Sequence, residues 1–341
     1  MAVKGWRFAL IHGILRGMRF LIVGAGRVGV VYAHHAQQGG AHVGLFVREK
    51  YAAAARADFH LYPLHEGKRA HKTFRANAVL TNWAEVAQTK WDWIFLAIPS
   101  SSLEGAWFDE MKAAIGEARV VALQLGVNDR QWLEQQLGRD RLYLGMINLI
   151  SYSVPMEGHP VGDPGTAYWF PPCSSMPFSG PSSAPFDELV ATLRKGGMKA
   201  SIATDSQGAS RFPEFLLGAL VTALELVGWK FSGLRDDEAI RLAIAAAEEQ
   251  NAILDRKLGT RRPFYFSVLS PRFMRGGLWV ASKMVPLPME SFILAHFTKV
   301  NAQFQRDRKT LMVEGARLGL PTSAIQELDR RLAELRISAL K

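Results

Sequence analysis

Cysteine is almost absent from this chain. Cys173 is the only one in 341 residues, so no internal disulfide can form; no metal-ligand spacing surrounds it, and a reducing, cytoplasmic setting without a bound metal is expected. Long apolar runs are missing too. The most apolar stretch, 278–297, is interrupted by Lys283, Pro286, Pro288 and Glu290, which a hydrocarbon core does not accept, so no membrane span is expected. Residues 1–17 are basic and partly apolar but lack a long apolar core and a small-residue cleavage site. They read as an extension before Met18 rather than a signal peptide. Internal repeats and runs of basic residues are lacking as well. The net charge of +10 is spread along the chain, which argues against a nucleic-acid partner and suits an anionic cofactor and a carboxylate substrate. Hydrophobic residues make up 48% and charged residues 21%, the balance of a folded protein with room for two domains.

What is present begins just after Met18. Phe20 to Val23 form an apolar run, Gly24, Gly26 and Gly29 follow as Gly-x-Gly-x-x-Gly, and a helical pattern starts at Arg27. Strand, glycine turn and helix in this order are the mechanics of a dinucleotide site. Gly24 allows the tight turn, Gly26 leaves room for a pyrophosphate, Gly29 lets helix approach strand, and phosphates sit on free N–H groups at the helix start. Gly24, Ala25, Gly26, Arg27, Val28 and Gly29 are therefore expected to contact the cofactor. A second apolar run, His42 to Val47, leads into Arg48-Glu49-Lys50. NAD readers usually place an acidic residue there for the ribose hydroxyls. Arg48 instead offers a guanidinium to a 2′-phosphate, with Lys50 adding charge, so NADPH is the expected cofactor.

The rest of the chain falls into two regimes. Apolar strands at 93–98, 120–123 and 142–147 alternate with helical stretches, and 59–81 holds one or two edge strands. This predicts an α/β class with a parallel sheet covered on both faces. Ligands bind such sheets at the carboxyl ends of the strands, so the loops at 24–29, 99–102 and 124–128 and the segment 148–153 are expected to share one cleft. Pro99, Ser100, Gln124 and Gly126 join the cofactor set on that ground. Residues 171–185, rich in Pro, Ser and Gly, read as an exposed loop, followed by a helix at 186–194 and a final strand at 200–204. From Asp205 onward only helices are expected, at 215–227, 236–257 and 291–318. The expected organisation is a Rossmann-like NADP-binding domain over 18–204 and an all-α domain over 205–341 for substrate and dimer contacts.

This order resembles the ketopantoate reductase family, which reduces a 2-oxo acid with NADPH between a Rossmann-like and a helical domain. The resemblance covers residues 18–337 and is carried by LIVGAGRVG at 21–29, FVREK at 46–50, FLAIPS at 95–100 and EGARLGLPT at 314–322. The last of these is the most specific to the family. Several family positions are changed. Pro99 and Ser100 stand where the family has a Lys, and Gln124-Leu125-Gly126 replaces His-Asn-Gly. The helix around 211–226 offers Arg211, Glu214 and Thr222 in place of the family's catalytic Lys and its Asn residues. Gln303 aligns with the catalytic Glu, and the family's serine is kept as Ser291. The resemblance implies reduction of a 2-oxo acid or related carbonyl or imine, a small-molecule substrate, with a homodimer as one expected assembly.

Carbonyl reduction needs a proton donor within hydrogen-bond reach and groups that stabilise the reacting oxygen. Helical spacing puts His296, Lys299, Gln303 and Arg306 on one face. Lys299 is the first choice for general acid, because desolvation lowers a lysine into the working range, with His296 second and Tyr152 third. Asn148, Ser291 and Gln303 are the expected substrate contacts. The competing readings are a solvated helix face for 291–306 and a polar strand end for 148–153. His34 and His35 read as packing or surface residues. At the level of function, the competing reading is a NADP-binding sensor or scaffold without catalysis.

Overall fold

The computed structural model describes residues 17–67, 69–123, 126, 128–172, 174–235, 237–259 and 270–339. In chain order the strands are β1 (Arg19–Val23), β2 (His42–Phe46), β3 (Phe59–Pro63), β4 (Lys72–Phe74), β5 (Ala78–Leu80), β6 (Trp93–Leu96), β7 (Arg119–Ala122), β8 (Leu142–Gly145), β9 (Ile150–Val154), β10 (Gly165–Trp169), β11 (Met176–Ser179) and β12 (Ala200–Ile202). The helices are α1 (Arg27–Gln38), α2 (Ala52–Arg56), α3 (Trp83–Ala87), α4 (Ala106–Ile115), α5 (Asp129–Leu137) and α6 (Ala184–Lys195). They continue as α7 (Ser206–Leu226), α8 (Asp237–Leu258), α9 (Pro271–Met284), α10 (Met289–Leu318) and α11 (Ser323–Ala339).

A strand in the middle of a parallel sheet has helices on both faces, so every side chain along it must be apolar. β1, β6 and β7 meet that demand with Phe-Leu-Ile-Val, Trp-Ile-Phe-Leu and Val-Val-Ala, all buried. They lie inside an eight-stranded sheet of order β12-β11-β8-β7-β6-β1-β2-β5. Its pairs are parallel except β11 against β8. α1 and α6 cover one face, with Val31, Tyr32, Leu189 and Leu193 packed among Phe20, Phe95 and Phe178. α4 and α5 cover the other through Phe108, Met111 and Leu133 against Ile94, Leu96 and Val120. Each such side chain, fully buried, contributes about 1.5–3 kcal/mol.

Residues 59–81 hold three strands, β3, β4 and β5, rather than one or two, and a second stretch departs further from expectation. Residues 171–185 are not an exposed loop throughout: β11 lies inside them, with Met176 and Phe178 only 1% and 0% exposed. Phe178 sits opposite Gly145, where a Cβ would come within 2.8 Å of its ring. The bare glycine on β8 makes the space that buries the phenylalanine. Turn-forming residues on both sides hide this short strand from composition.

A second sheet, of order β4-β3-β10-β9, lies between α1 and the helical region. Side-chain alternation assigns its two faces. Tyr152, Val154, Ala167 and Trp169 join the core of α7, α8 and α10, while Tyr168 packs on the α1 side with Leu61, Phe74 and Phe170. α7 starts at the sheet: the buried Ser206 donates to the Leu144 carbonyl at 3.3 Å and its Oγ lies 2.8 Å from that of Ser179. Farther out, α8, α10 and α11 close on Ala246, Ile253, Leu311, Ile325 and Leu328. α10 ends at Gly319, whose φ of 66° is left-handed, with the Leu320 N–H on the Gly315 carbonyl at 2.9 Å. That cap is the structural content of the EGARLGLPT segment. Among the described residues no helix is long and apolar enough to cross a membrane, and no group of three metal-ligating side chains occurs.

His34 and His35 are core residues, each 3% exposed. Burial, with help from His35, lowers His34 to about 4; burial also lowers His35 to about 4, against its hydrogen bond to the Gly196 carbonyl. The unfolded chain binds more protons than the folded one between the ordinary value of 6.5 and about 4. These two groups should therefore leave stability unaffected above neutrality and lower it as pH falls through that window. Urea midpoints measured across the window test this; a midpoint that rises on acidification contradicts it.

Candidate functional site

The carboxyl ends of β1, β2, β6 and β7 lie along one edge of the sheet, and of the expected loops the turns at 24–29 and 99–102 meet there with Gly126. Gly24 has φ 103° and donates its N–H to the Phe46 carbonyl at 3.0 Å. A Cβ on Gly24 would meet the Ala97 carbonyl oxygen at 2.7 Å, and one on Gly29 would overlap the Gly24 carbonyl. A Cβ on Gly26 would meet nothing within 4 Å. Two glycines are thus demanded by the chain's own packing, whereas the third borders open space. Gly26 caps α1 without a side-chain bond, and the first turn holds no acidic residue. The N–H groups of Arg27, Val28 and Gly29 have no intrahelical acceptor and form the positive end of a helix. This cradle fits a pyrophosphate.

The side chain of Arg27 turns elsewhere. Its Nε donates to Ser153 Oγ at 2.8 Å and its Nη1 to Thr166 Oγ1 at 3.1 Å, a cross-strand pair of the second sheet. Arg27 therefore offers the cradle its backbone and uses its guanidinium to fix α1 to β9 and β10. At the end of β2, Arg48 lies 5.2 Å and Lys50 5.0 Å from the ring centre of Tyr51, and all three are exposed. Arg48 also donates to the Tyr51 hydroxyl at 3.4 Å. Two cations flank an exposed aromatic ring, a surface suited to a phosphate beside a flat base. Sequence spacing located Arg48 and Lys50 but passed over Tyr51.

On the other side of the cradle, Pro99 leads into a single turn at Ser100–Ser102. Ser100 is 3% exposed; its hydroxyl donates to the Asp129 carboxylate and accepts the Gly126 N–H at 3.1 Å. Ser100 and Gly126 are brought together as expected, but their polar groups are spent on Asp129. Burial raises the Asp129 carboxyl, the Gly126 hydrogen bond and Arg306 acting against it. Arg306 of α10 stands 3.9 Å from Asp129, and Lys257 at the end of α8 donates to Asn128 at 2.6 Å. The helical region therefore faces this edge of the sheet through two cations. Gln124 lies outside the described residues, as does Cys173.

The remaining candidates are dispersed. Tyr152 is 4% exposed, bonds His159 Nδ1 at 2.8 Å and packs on Phe292; burial pushes its hydroxyl up to about 12. His296 is exposed and stacks on Phe292 at 5.4 Å, so it belongs to the Tyr152 cluster rather than to Arg306. Asn148 donates to the Ser175 carbonyl at 2.8 Å. Ser291 lies half-buried in the first turn of α10. The side chains of Lys299 and Gln303 lie outside the described residues, although their backbone is part of α10. Sequence reading missed Asp129 and Asp307. Burial and the Asp129 charge lift the Asp307 carboxyl to about 6, against Arg306 and Arg308. Its place one turn after Gln303 was the available signal.

Gly26→Val and Gly29→Ala should separate binding from folding. The first should abolish dinucleotide binding and leave the urea midpoint nearly unchanged; the second should cost about 1–3 kcal/mol by overpacking. Cofactor titration with urea denaturation reads both, and a Gly26→Val protein that binds normally would refute the cradle.

Residues 20–160 match the model of the ketopantoate reductase PanE/ApbA family. No curated protein matches the chain by sequence. Among solved structures, 2-dehydropantoate 2-reductase from Geobacter metallireducens superposes with a TM-score of 0.68 at 17% identity, covering 93% of this chain and all of that one (100%). A PanE/ApbA family ketopantoate reductase from Ralstonia eutropha gives 0.68 at 18%, over 95% of this chain and 100% of that one. D-mandelate dehydrogenase, solved with NADH and anilino(oxo)acetate, gives 0.66 at 14%, over 94% and 99%. Residues 20–160 are thus similar to the ketopantoate reductase family model, and the chain shares the fold of solved ketopantoate reductases over nearly its whole length.

Proposed function

We propose that this protein is a NADPH-dependent reductase of a 2-oxo acid or a related carbonyl or imine. The observation that carries the reading is the pairing of an open glycine cradle at the start of α1 with Arg48 and Lys50 at the end of β2. The cradle takes the pyrophosphate on backbone N–H groups, and the two cations take the 2′-phosphate with Tyr51 beside the adenine. When bound, the cofactor supplies a hydride. The rest of the chemistry belongs to the chain. Arg306 and Lys257 make the opposite wall of the cleft positive, which favours an anionic substrate, and α10 supplies the proton donor. We divide the labour at the junction of β12 and α7: residues 18–204 hold the cofactor and 205–341 the substrate. The resemblance in fold to D-mandelate dehydrogenase, solved with NADH, makes the choice between the two nicotinamides the point to test.

NADPH should bind at least about tenfold more tightly than NADH, about 1.4 kcal/mol. Arg48→Ala should remove most of that difference without weakening NADH. Fluorescence titration of both cofactors against both proteins measures this, and equal affinities in the wild type would sink the assignment. A panel of 2-oxo acids then tests reduction; NADPH binding with no oxidation by any of them would favour a binding protein.

A further inference from the structure

The helical region encloses a cavity of about 200 Å³ between α7, α8, α10 and α11. An apolar cavity of ~150 Å³ accepts benzene, so this one has room for an aromatic ring and a few further atoms. Its walls are of two kinds. Trp229, Phe297 and Phe304 are aromatic; the polar residues include Thr222, the carboxylates of Glu225 and Asp307, and the guanidinium of Arg308. Arg308 is 5% exposed and its Nε bonds Asp329 at 3.2 Å, yet its Nη2 is buried with no hydrogen-bond partner among the described residues. A buried guanidinium N–H without an acceptor is strongly unfavourable, and a carboxylate is the acceptor that matches it best. Trp229 is held at φ 65°, a left-handed conformation that bulky residues adopt under constraint and that concentrates at functional sites. Asp307 lines the cavity, and its neighbour on α10, Arg306, stands 3.9 Å from Asp129 beside Ser100 and Gly126, so this part of α10 joins the cavity to the sheet edge.

We propose that this cavity is the substrate chamber, that Arg308 receives the carboxylate of a 2-oxo acid with an aromatic or branched apolar side chain, and that Asp307 donates the proton to the carbonyl oxygen. This rests on the reductase reading above. The step balances. C2 of the acid gains a hydride from the nicotinamide, the carbonyl π pair takes the Asp307 proton, a 2-hydroxy acid and NADP⁺ result, and water reprotonates the aspartate. Asp307 stands one helical turn beyond Gln303, where the resemblance places the family's catalytic Glu. The charges that act on it are Asp129 of α5 and, on its own helix, Arg306 and Arg308; Glu225 of α7 lines the same cavity, and Asp329 of α11 pairs with Arg308.

Phenylpyruvate is the probe, with pyruvate for comparison. Binding is measured by calorimetry on protein saturated with NADP⁺, and reduction by loss of NADPH absorbance. Phenylpyruvate should bind at least about tenfold more tightly than pyruvate. Arg308→Gln and the cavity-filling Gly218→Leu should each weaken phenylpyruvate about tenfold or more and leave NADPH affinity unchanged. A Cβ at Gly218 meets nothing within 4 Å, so the second variant keeps its fold where the first loses an ion pair. Asp307→Asn should leave phenylpyruvate binding intact and lower kcat about 10²-fold. It should also abolish the fall in rate that the wild type shows above about pH 6, as the donor loses its proton. Unchanged phenylpyruvate binding in Gly218→Leu overturns the chamber, and loss of turnover in Lys299→Ala with an active Asp307→Asn overturns the donor. Reduction that proceeds equally in all these variants overturns the inference while the reductase reading stands. Phenylpyruvate binding that depends on Arg308 without any NADPH oxidation keeps the chamber and overturns the reductase reading.

Discussion

The first turn of α1 carries N–H groups that no carbonyl of its own helix can reach, and the surrounding chain holds them open rather than covering them. Gly26 supplies no capping side chain, and no carboxylate stands in the turn. Gly24 and Gly29 let β1 and α1 close so tightly that a methyl group at either position would run into a backbone carbonyl oxygen. A helix start left uncapped at the edge of a sheet is an unfavourable arrangement in isolation. An anion placed there would make it favourable. The two cations around Tyr51 lie to one side, and Ser100, Gly126 and Asp129 lie to the other.

The second sheet explains how this cradle is kept in place relative to the helices. Arg27, the first residue of α1, sends its guanidinium to a cross-strand Ser153–Thr166 pair, while the opposite face of the same strands carries Tyr152, Val154 and Trp169 into the helical core. One small sheet thus connects α1 to α7, α8 and α10. α10 then returns to the carboxyl edge of the large sheet, bringing Arg306 within 3.9 Å of Asp129. Cradle and helical wall are coupled by packing on one side and by charge on the other.

The parts legible in the sequence were those set by local rules. The apolar runs of β1, β6 and β7 follow from burial on both faces, and the glycine spacing follows from the turn it must make. Arg48 could be placed because it directly ends a strand of known direction. What stayed hidden depended on distant partners. β11 looks like a loop because its burial comes from Gly145, more than thirty residues away in sequence. Arg27 looks like a phosphate ligand until Ser153 and Thr166 are seen beside it. Asp129 and Asp307 are ordinary acidic residues in the sequence; the fold alone gives them their shifted carboxyls.

Hydrogen–deuterium exchange with and without NADPH tests the central claim most directly, because it reads backbone N–H groups one segment at a time. If the open turn of α1 is the anchor of the cofactor, NADPH slows exchange at 24–30 first and most, with weaker protection at 46–51 and 97–102 and little change in α11. Protection absent from 24–30, or confined to the helical region, would contradict the account.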